Sequence, residues 1–324
     1  MKVLVIGSSL FDVIVALENN PHITIEGSRA SFALGDKVPV DIKTFSIGGN
    51  GPNVASALQK LTIPNLFYTY LGEDALSKYI SQRLSEEGIS VCYDTTTSAT
   101  GPLSLIFNFT QDRTIFSHHP EFDHGFDEAK VGEIPSHIFL TSLGKTWESA
   151  YDKVLSYAST HNIPLAFSPG SQQMKNINET FIKTVHQAKM LFCNMEEAKI
   201  INKTLSGNDI EDKRDLLLNL KNNGFELLSI TDGAEGAYAV DNENRVYKIK
   251  TLKPEGHEKT GAGDAYAAAF LAAYVQGKEI SICMKWGVLN ALGVMSHVGA
   301  HTGQLKLDEM EQKNSEIELT AEQI

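Results

Sequence analysis

The stretch Thr260-Gly261-Ala262-Gly263-Asp264 runs straight into an alanine-rich segment, residues 265–271, and it decides most of what the sequence predicts. A glycine turn that opens a helix leaves several backbone N–H groups unpaired and directs the positive end of the helix dipole to the same point. Such a helix start attracts phosphate and stabilises a developing anion. Asp264 stands where a carboxylate could take a proton from a nucleophile beside that anion. The alternative is that Asp264 only caps the helix and the glycines only make the turn.

The length and composition fit one sizeable α/β domain, or a domain with an appendage. The chain has 324 residues, and 42% of them are hydrophobic, which is enough to bury a large core. Its formal net charge of −12 argues against nucleic acid and anionic membranes as partners. It does not argue against ATP, because local N–H clusters and Mg²⁺ supply positive potential.

The first residues and the cysteines favour a cytoplasmic protein. Residues 2–7 are typical of a strand and turn rather than of a signal peptide, and no apolar stretch approaches the roughly 20 residues that cross a bilayer. Cys92, Cys193 and Cys283 are odd in number, lack C-x-x-C spacing and lie among apolar residues. They are therefore expected to be buried free thiols in a reducing compartment.

Short apolar strands alternate with helical segments through most of the chain, as in stacked β-α-β units. This pattern predicts an α/β fold with a mostly parallel central sheet. Two β-rich excursions interrupt it, at 12–48 and 89–117, and are predicted to form a small β-sheet lid over the carboxyl edge of the main sheet. The core is then assigned to the remaining segments, which are 1–11, 49–88 and 118–324.

Two polar features lie near the start of the chain. Residues 48–53, Gly-Gly-Asn-Gly-Pro-Asn, combine a glycine turn with two amides ahead of a helix, so that Asn53 and nearby N–H groups are candidates to hold ligand hydroxyls. An ordinary β-to-α turn is the alternative. Asp12 lies inside an apolar strand, where a carboxylate is costly to bury without partners. Two sugar hydroxyls would satisfy it, and so would a lysine or backbone amides.

Two further clusters follow predicted strands in the second half. Asn194-Met195-Glu196-Glu197 places an amide and a carboxylate three residues apart on a first helical turn. Acids near phosphates usually serve a hydrated Mg²⁺, although helix starts are also rich in acids for other reasons. Residues 231–236 form a third glycine turn. His118, His119, His297 and His301 lack metal-ligand spacing and are interpreted as surface or core residues.

Taken in order, these motifs resemble the ribokinase-like (PfkB-type) carbohydrate kinases. The resemblance is carried by Gly49 with Asn53, the N-x-x-E of 194–197, the T-x-G-x-x-G of 231–236 and the sequence 261–264, and it extends from Val3 to about Ala300. It implies a three-layer α/β/α core with a small β-sheet lid. It also implies transfer of the γ-phosphoryl group of ATP to a hydroxyl of a small sugar.

The resemblance also implies a role for each motif residue. Asp264 would be the general base, and the N–H groups of Gly261, Ala262 and Gly263 would form the anion hole. The acceptor would be held by Asp12, Gly49 and Asn53. The nucleotide site would include Asn194, Thr231, Gly233, Gly236 and Asn290, with Glu197 binding Mg²⁺ through water. Lid strands in this family often meet those of a second subunit, so a homodimer through the lid is expected.

Glu258-Lys259 departs from the family pattern, which usually has Asp-Thr before Thr260. In potassium-activated relatives that Asp segment helps to build a monovalent-cation site, and the longer Glu258 side chain leaves its presence here open. Lys259 could place its ammonium near the phosphates instead, or it could point to solvent.

Two other functions remain open from the sequence. A nucleoside kinase of the same family would need an aromatic wall from the lid, for which Phe11, Phe32, Phe107 and Phe109 are candidates. A catalytically silent sugar-binding module is the other alternative, although retention of Asp264 with an intact glycine turn argues against it.

Overall fold

A computed structural model describes residues 1–95, 100–109, 113–120, 124–253, 260–297, 299 and 302–324. The predicted departure at Glu258-Lys259 lies outside the described residues, as do Ala300 and His301.

The described strands are, in chain order, β1 (Val3–Ile6), β2 (Leu10–Ala16), β3 (Thr24–Glu26), β4 (Arg29–Ser31), β5 (Asp41–Gly48), β6 (Asn65–Leu71), β7 (Ser90–Thr95), β8 (Leu103–Asn108), β9 (Arg113–His118), β10 (His137–Leu140), β11 (Leu165–Phe167), β12 (Met190–Asn194), β13 (Leu227–Thr231), β14 (Ala237–Val240), β15 (Val246–Ile249) and β16 (Glu322–Gln323). The described α-helices are α1 (Asn50–Lys60), α2 (Ala75–Glu86), α3 (Glu148–His161), α4 (Ser171–Lys175), α5 (Glu179–Gln187), α6 (Met195–Ser206), α7 (Lys213–Lys221), α8 (Ala262–Val275), α9 (Ile280–Met295) and α10 (Leu307–Glu316).

The large sheet has the strand order β7-β6-β1-β10-β11-β12-β13-β14-β15-β16. The seven strands from β7 to β13 are parallel to one another, and the last three pair antiparallel. Parallel strands require crossover connections, which the helices supply. The predicted mostly parallel α/β sheet is therefore confirmed.

Helices cover both faces of this sheet, and β1 shows why. Val3 and Val5 pack into a core with residues of α1, α2, α8 and α9, whereas Leu4 and Ile6 pack into a second core with residues of α3, α5, α6 and α7. Successive side chains of a strand point to opposite faces, so a continuous apolar run is what a strand buried on both sides needs. The result is the three-layer α/β/α core that the resemblance implied.

A separate four-stranded sheet has the order β5-β2-β8-β9. Its central pair, β2 and β8, is parallel, and the outer pairs are antiparallel. The two predicted excursions therefore meet in one small sheet. The second begins later than predicted, because Ser90–Thr95 pairs parallel with β6 as the edge strand of the large sheet. That strand follows α2, and a strand-helix-strand crossover returns the chain to the sheet it left.

The parallel strands end at a common edge, where the polar motifs collect. The segment after β1 contacts the one after β10 through the Ser8 N–H, which donates to the Ser142 carbonyl over 2.8 Å. Asn194 and Thr231, at the ends of β12 and β13, are paired in register. This edge is where open α/β sheets bind ligands.

Candidate active site

Helix α8 begins at the glycine turn that the sequence predicted. Gly261 is its N-cap, with a φ of 77° in the left-handed region, which glycine adopts without strain. The Ala265 N–H makes the first helical bond, to the Gly261 carbonyl, so the three preceding amides have no partner inside the helix. A Cβ added at Gly263 would meet no heavy atom of the described residues within 4 Å. Among those residues the helix start is therefore uncovered at Gly263, as an anion site requires.

Asp264 lies on the first turn of α8 and is 8% exposed. Two amides from the start of α1 hold its carboxylate. Asn50 Nδ2 donates to Oδ1 over 2.9 Å, and Asn53 Nδ2 donates to Oδ2 over 2.8 Å. Burial raises the pKa of Asp264 from 3.8 to about 6, against the lowering effect of the bonds from Asn53 and Asn50. The group is thus mostly ionised at neutral pH and close to the range of an effective base.

The residues behind this clamp are also fixed by buried hydrogen bonds. Gln304 Nε2 donates to the Asn53 carbonyl over 2.7 Å. Asn290 is fully buried, donates to the Ala265 carbonyl and accepts from the Leu305 N–H. In this arrangement Asn290 ties α9 to α8 and to the segment before α10. Its predicted contact with the nucleotide stays a prediction.

Asp12 lies on β2 of the small sheet and is 5% exposed. A row of serines crosses the sheet at its level. Ser46 of β5 and Ser104 of β8 are its register partners, and Ser117 of β9 is the partner of Ser104. Residues paired in this way share a face of the sheet. The row therefore places one carboxylate among three hydroxyls, a pattern suited to sugar hydroxyls.

Two glycines connect this row to the base. A Cβ on Gly48 would collide with the carboxylate of Asp12, so only glycine lets that side chain lie over β5. Gly49 has a φ of 99° and caps α1, and a Cβ there would lie 2.5 Å from the Ser8 carbonyl oxygen. The predicted acceptor residues Asp12, Gly49 and Asn53 thus lie along one continuous path that ends at Asp264.

Asn194 and Glu197 face each other across the first turn of α6. The Asn194 side chain accepts from the Glu197 N–H, and Glu197 Oε2 accepts from the Asn194 N–H, both over 2.9 Å. This is a capping box. Burial raises the pKa of Glu197, the bond from Asn194 lowers it, and the charge of Asp264 raises it again. Glu197 and Asp264 are therefore close enough for their charges to interact.

The third glycine turn lies at the end of β13. Gly236 has a φ of 98°, and a Cβ there would collide with the Ile249 carbonyl, so glycine is needed for packing against β15. Gly233 has a φ of 54°, and a Cβ there would meet no atom of the described residues within 4 Å. Thr231 is half-buried at the strand end. The backbone conformation accounts for Gly236, while the contacts of Thr231 and Gly233 with the nucleotide stay a prediction.

Comparison with known proteins places this site in a family. The model of the pfkB family of carbohydrate kinases matches residues 2–306. The chain belongs to that family. Membership makes it a phosphotransferase with an alcohol group as acceptor and implies ATP as the donor, as the sequence predicted.

Individual relatives of this pfkB-family chain are distant but cover it well. The 5-dehydro-2-deoxygluconokinase of Bacillus subtilis is 23% identical over 287 residues, which are 83% of this chain and 87% of that protein. The ribokinase of Thermotoga maritima superposes with a TM-score of 0.72 at 19% identity, over 96% of this chain and 98% of that one. The nucleoside kinase of Methanocaldococcus jannaschii superposes with a TM-score of 0.72 at 19% sequence identity, over 98% of each chain. These structures confirm the ribokinase-like fold.

The sequence reasoning missed two residues of this pfkB-family site. The sequence predicted Asn50 only as part of a glycine turn. Its spacing of three residues from Asn53 nevertheless puts both amides on one helical turn. Gln304 lies far along the chain, and no motif marks it.

The aromatic wall that a nucleoside would need does not form on the Asp12 face from the strand residues proposed for it. Phe11 stacks on Phe45 at 5.7 Å and meets Tyr79 of α2 edge-on at 5.0 Å. Phe107 packs on Phe116. Phe11 precedes Asp12 on its strand and so points to the opposite face.

Among the described residues, no helix combines the length and hydropathy that a membrane crossing needs. The three cysteines are free, and two of them, Cys193 and Cys283, are buried.

Proposed function

We propose that the chain transfers the γ-phosphoryl group of ATP to a hydroxyl of a small sugar, with Asp264 as the general base. The observation that carries this proposal is the buried Asp264 carboxylate at the open start of α8, held by two amides and with a pKa of about 6. Each carboxylate oxygen keeps a second lone pair, so the group can accept a hydroxyl proton without losing the clamp.

The proposed steps follow from that geometry. The acceptor hydroxyl lies against Asp264, which takes its proton as the oxygen attacks the γ-phosphorus and the bond to ADP breaks. The N–H groups at 261–263 stabilise the negative charge of the transferring group. Phosphoryl transfer asks mainly for in-line positioning and charge stabilisation, which a helix start and a fixed carboxylate supply.

The donor set fits a hydrated Mg²⁺. Burial raises the pKa of Glu197, and repulsion from the Asp264 carboxylate raises it further. A cation held by Glu197 would relieve that repulsion. Mg²⁺ keeps several of its waters and needs few protein ligands, so Glu197 would bind it through water. Bound there, Mg²⁺ would neutralise charge on the phosphates.

A sugar is the acceptor that the small sheet favours. Asp12 and the serine row offer hydroxyl partners, and Phe11 and Phe107 point to the other face. Asn53 Oδ1 is buried without a partner among the described residues, so it is available to accept from a sugar hydroxyl. A nucleoside is the second candidate, since the nucleoside kinase of Methanocaldococcus jannaschii shares the fold.

The test is ADP release over a panel of ribose, 5-dehydro-2-deoxygluconate and nucleosides. We expect Asp264→Asn to lower kcat by about 10²–10⁴-fold, the usual contribution of a general base, with little change in the Kd of either substrate. Asp241→Asn is the matched control. Asp241 is equally buried but follows β14, which runs antiparallel and ends at the opposite edge. Full activity of Asp264→Asn would refute the assignment, and turnover of nucleosides alone would favour the second candidate.

Three further properties are proposed: a homodimer, a cytoplasmic location and dependence on a monovalent cation. The small sheet exposes Phe45 and Phe116, at 51% and 58%, which supports a homodimer through the lid. Light scattering with Phe116→Lys tests it, since a lid dimer should dissociate. We also propose a cytoplasmic location. Monovalent-cation dependence is tested by activity with and without potassium in wild type and Lys259→Ala.

A further inference from the structure

Four polar side chains around the proposed base are buried and linked through hydrogen bonds. They come from four different parts of the chain, and each is 8% exposed or less. Burying a polar group is costly unless it is hydrogen-bonded, so four of them in one place call for an explanation. We call this set the base ring (Asn53 of α1, Asp264 of α8, Asn290 of α9 and Gln304 of the segment before α10).

One half of the base ring runs from the carboxylate to the segment before α10. Asn53 Nδ2 donates to Asp264 Oδ2 over 2.8 Å. Gln304 Nε2 donates to the main-chain carbonyl of Asn53 over 2.7 Å. Gln304 is thus connected to the base through the residue whose amide clamps it.

The other half returns from that segment to the base through α9. The N–H group of Leu305 donates to Asn290 Oδ1 over 2.8 Å, and Asn290 Nδ2 donates to the Ala265 carbonyl over 2.9 Å. Leu305 follows Gln304 in the chain, and Ala265 follows Asp264. The ring therefore closes on itself, and it joins α1, α8, α9 and the segment before α10.

The segment that carries Gln304 is itself held closely against α9. A Cβ added at Gly293 of α9 would lie 2.4 Å from the Gly303 carbonyl oxygen. A Cβ added at Gly303, which has a φ of 81°, would lie 2.3 Å from the Gly293 carbonyl oxygen. The two backbones are thus in direct contact, so the Gln304 side chain extends from a fixed support.

The bond from Gln304 is not needed to satisfy the Asn53 carbonyl. Asn53 lies inside α1, where a carbonyl accepts from the N–H group four residues later. A carbonyl oxygen has a second lone pair, and Gln304 uses it. The additional bond fixes the start of α1 against the segment before α10, and with it the amide that clamps the base.

We propose that Gln304 is a positioning residue for the phosphoryl transfer, which holds Asn53 in place so that its amide keeps the Asp264 carboxylate turned toward the acceptor hydroxyl. Asn290 anchors the segment from which Gln304 extends. A shift of about 1 Å at a reacting group can cost about 100-fold in rate, so a second support behind the clamp has a direct use. This inference rests on the proposed function and adds a residue to its machinery.

The test is Gln304→Met, which keeps the length of the side chain and removes the donor. We expect kcat, measured by ADP release at saturating acceptor, to fall about 10-fold with KM for ATP within about twofold. The acidic limb of the kcat–pH profile should also move up from about 6 by about half a unit, because the bond from Asn53 lowers the pKa of Asp264. Glu197 is the charged side chain among the described residues that interacts with Asp264, and the variant leaves it in place.

Asn65→Leu is the matched control. Asn65 is also buried and also donates to a carbonyl of α1, that of Ala55, but it lies at the start of β6, at the amino edge of the sheet. We expect this variant to lose stability in urea denaturation, as Gln304→Met does, but to keep kcat within about twofold and the acidic limb at about 6. Gln304→Asn is the second variant, since its shorter side chain keeps an amide but withdraws the donor, and it should change kcat and the limb in the same direction as Gln304→Met.

A double-mutant cycle shows whether Gln304 acts through Asn53. In an Asn53→Ala background there is no amide left to position, so adding Gln304→Met should change kcat by less than about twofold and leave the acidic limb where Asn53→Ala puts it.

The outcomes separate the positioning role from the proposed function. Wild-type kcat and an unmoved acidic limb in Gln304→Met overturn the role. A loss of kcat without movement of the limb, or one that Asn65→Leu reproduces, also overturns it, because either result reflects a general effect on folding. An undiminished effect in the Asn53→Ala background overturns it as well. Full activity of Asp264→Asn instead counts against the general base, and so against the proposed function itself.

Discussion

Replacement of Asp264 by asparagine should make the folded chain more stable at neutral pH while it removes the proposed base. The carboxyl group is buried, and its pKa of about 6 lies above the 3.8 of an ordinary aspartate. The folded state therefore keeps this proton to a higher pH than the unfolded state does. Between about pH 4 and 6 the native chain binds more protons, so its stability falls as the pH rises.

The size of the effect follows from the pKa interval. Each unit corresponds to about 1.36 kcal/mol, so the shift from 3.8 to about 6 means that ionised Asp264 costs roughly 3 kcal/mol above pH 6. An amide at this position is neutral and avoids that cost. Its oxygen can keep the bond from Asn50, and a turn of the Asn53 amide brings Oδ1, which is buried without a partner among the described residues, to accept from the new N–H₂ group.

The assay is urea denaturation of wild type and Asp264→Asn between pH 4 and 8, followed by circular dichroism. We expect the two free energies of unfolding to be similar near pH 4, to diverge up to pH 6, and to differ by up to about 3 kcal/mol above it. Ligands are omitted, since nucleotide or Mg²⁺ would stabilise the wild type selectively.

Asp241→Asn provides a control of opposite sign. Burial raises the pKa of Asp241, but hydrogen bonds from Arg245 and from nearby backbone amides outweigh it and leave the pKa below its usual value. The ionised Asp241 carboxylate stabilises the folded chain at neutral pH, and this effect is lost as the pH falls. Asp241→Asn should therefore destabilise the chain most at pH 7–8. A pH-independent difference for Asp264→Asn, or one that follows Asp241→Asn, would refute the reasoning about the buried base.

Three other changes test contacts of the site. Asn50→Ala removes a donor that lowers the pKa of Asp264, so the acidic limb of the kcat–pH profile should move from about 6 to higher pH, by about one unit, while the rate at pH 8.5 changes little. Gly48→Ala forces the Asp12 carboxylate aside, and KM for the acceptor, measured at saturating ATP, should rise at least about 10-fold with KM for ATP unchanged. Asn290→Ala leaves the buried Leu305 N–H unsatisfied and removes the side-chain bond to the Ala265 carbonyl, so it should lower the free energy of unfolding by about 2–4 kcal/mol, measured by denaturation.

The central sheet could be predicted because its strands are buried on both faces. A continuous apolar run such as Val3–Ile6 is typical of a strand that helices cover on both faces, and the structure places it between two helical layers. The edge strand Ser90–Thr95 is mixed in polarity and half-exposed, so it resembles the lid strands that follow it. Its place depends on pairing with β6, which no local pattern contains.

The candidate site was predictable in its helix starts and less so in its contacts. The glycine turn placed Asp264 correctly at the start of α8, because left-handed backbone favours glycine there. The spacing of Asn194 and Glu197 suits both a ligand site and a capping box, and only coordinates show the reciprocal bonds. Asn50 and Gln304 could not be singled out, since each bonds to a residue distant in sequence.

The parallel pairing of β2 with β8 has a consequence for how the chain folds. Asp12 and Ser104 are register partners separated by about 90 residues, so their ladder closes a long loop whose entropy is lost before the contact forms. The intervening chain includes β6, α2 and β7 of the large sheet, and the ladder between β6 and β7 can form locally first. Asp12 is therefore among the first residues synthesised, while its ladder to β8 is among the last to form. Hydrogen exchange during refolding should show β6 amides protected before those of β8.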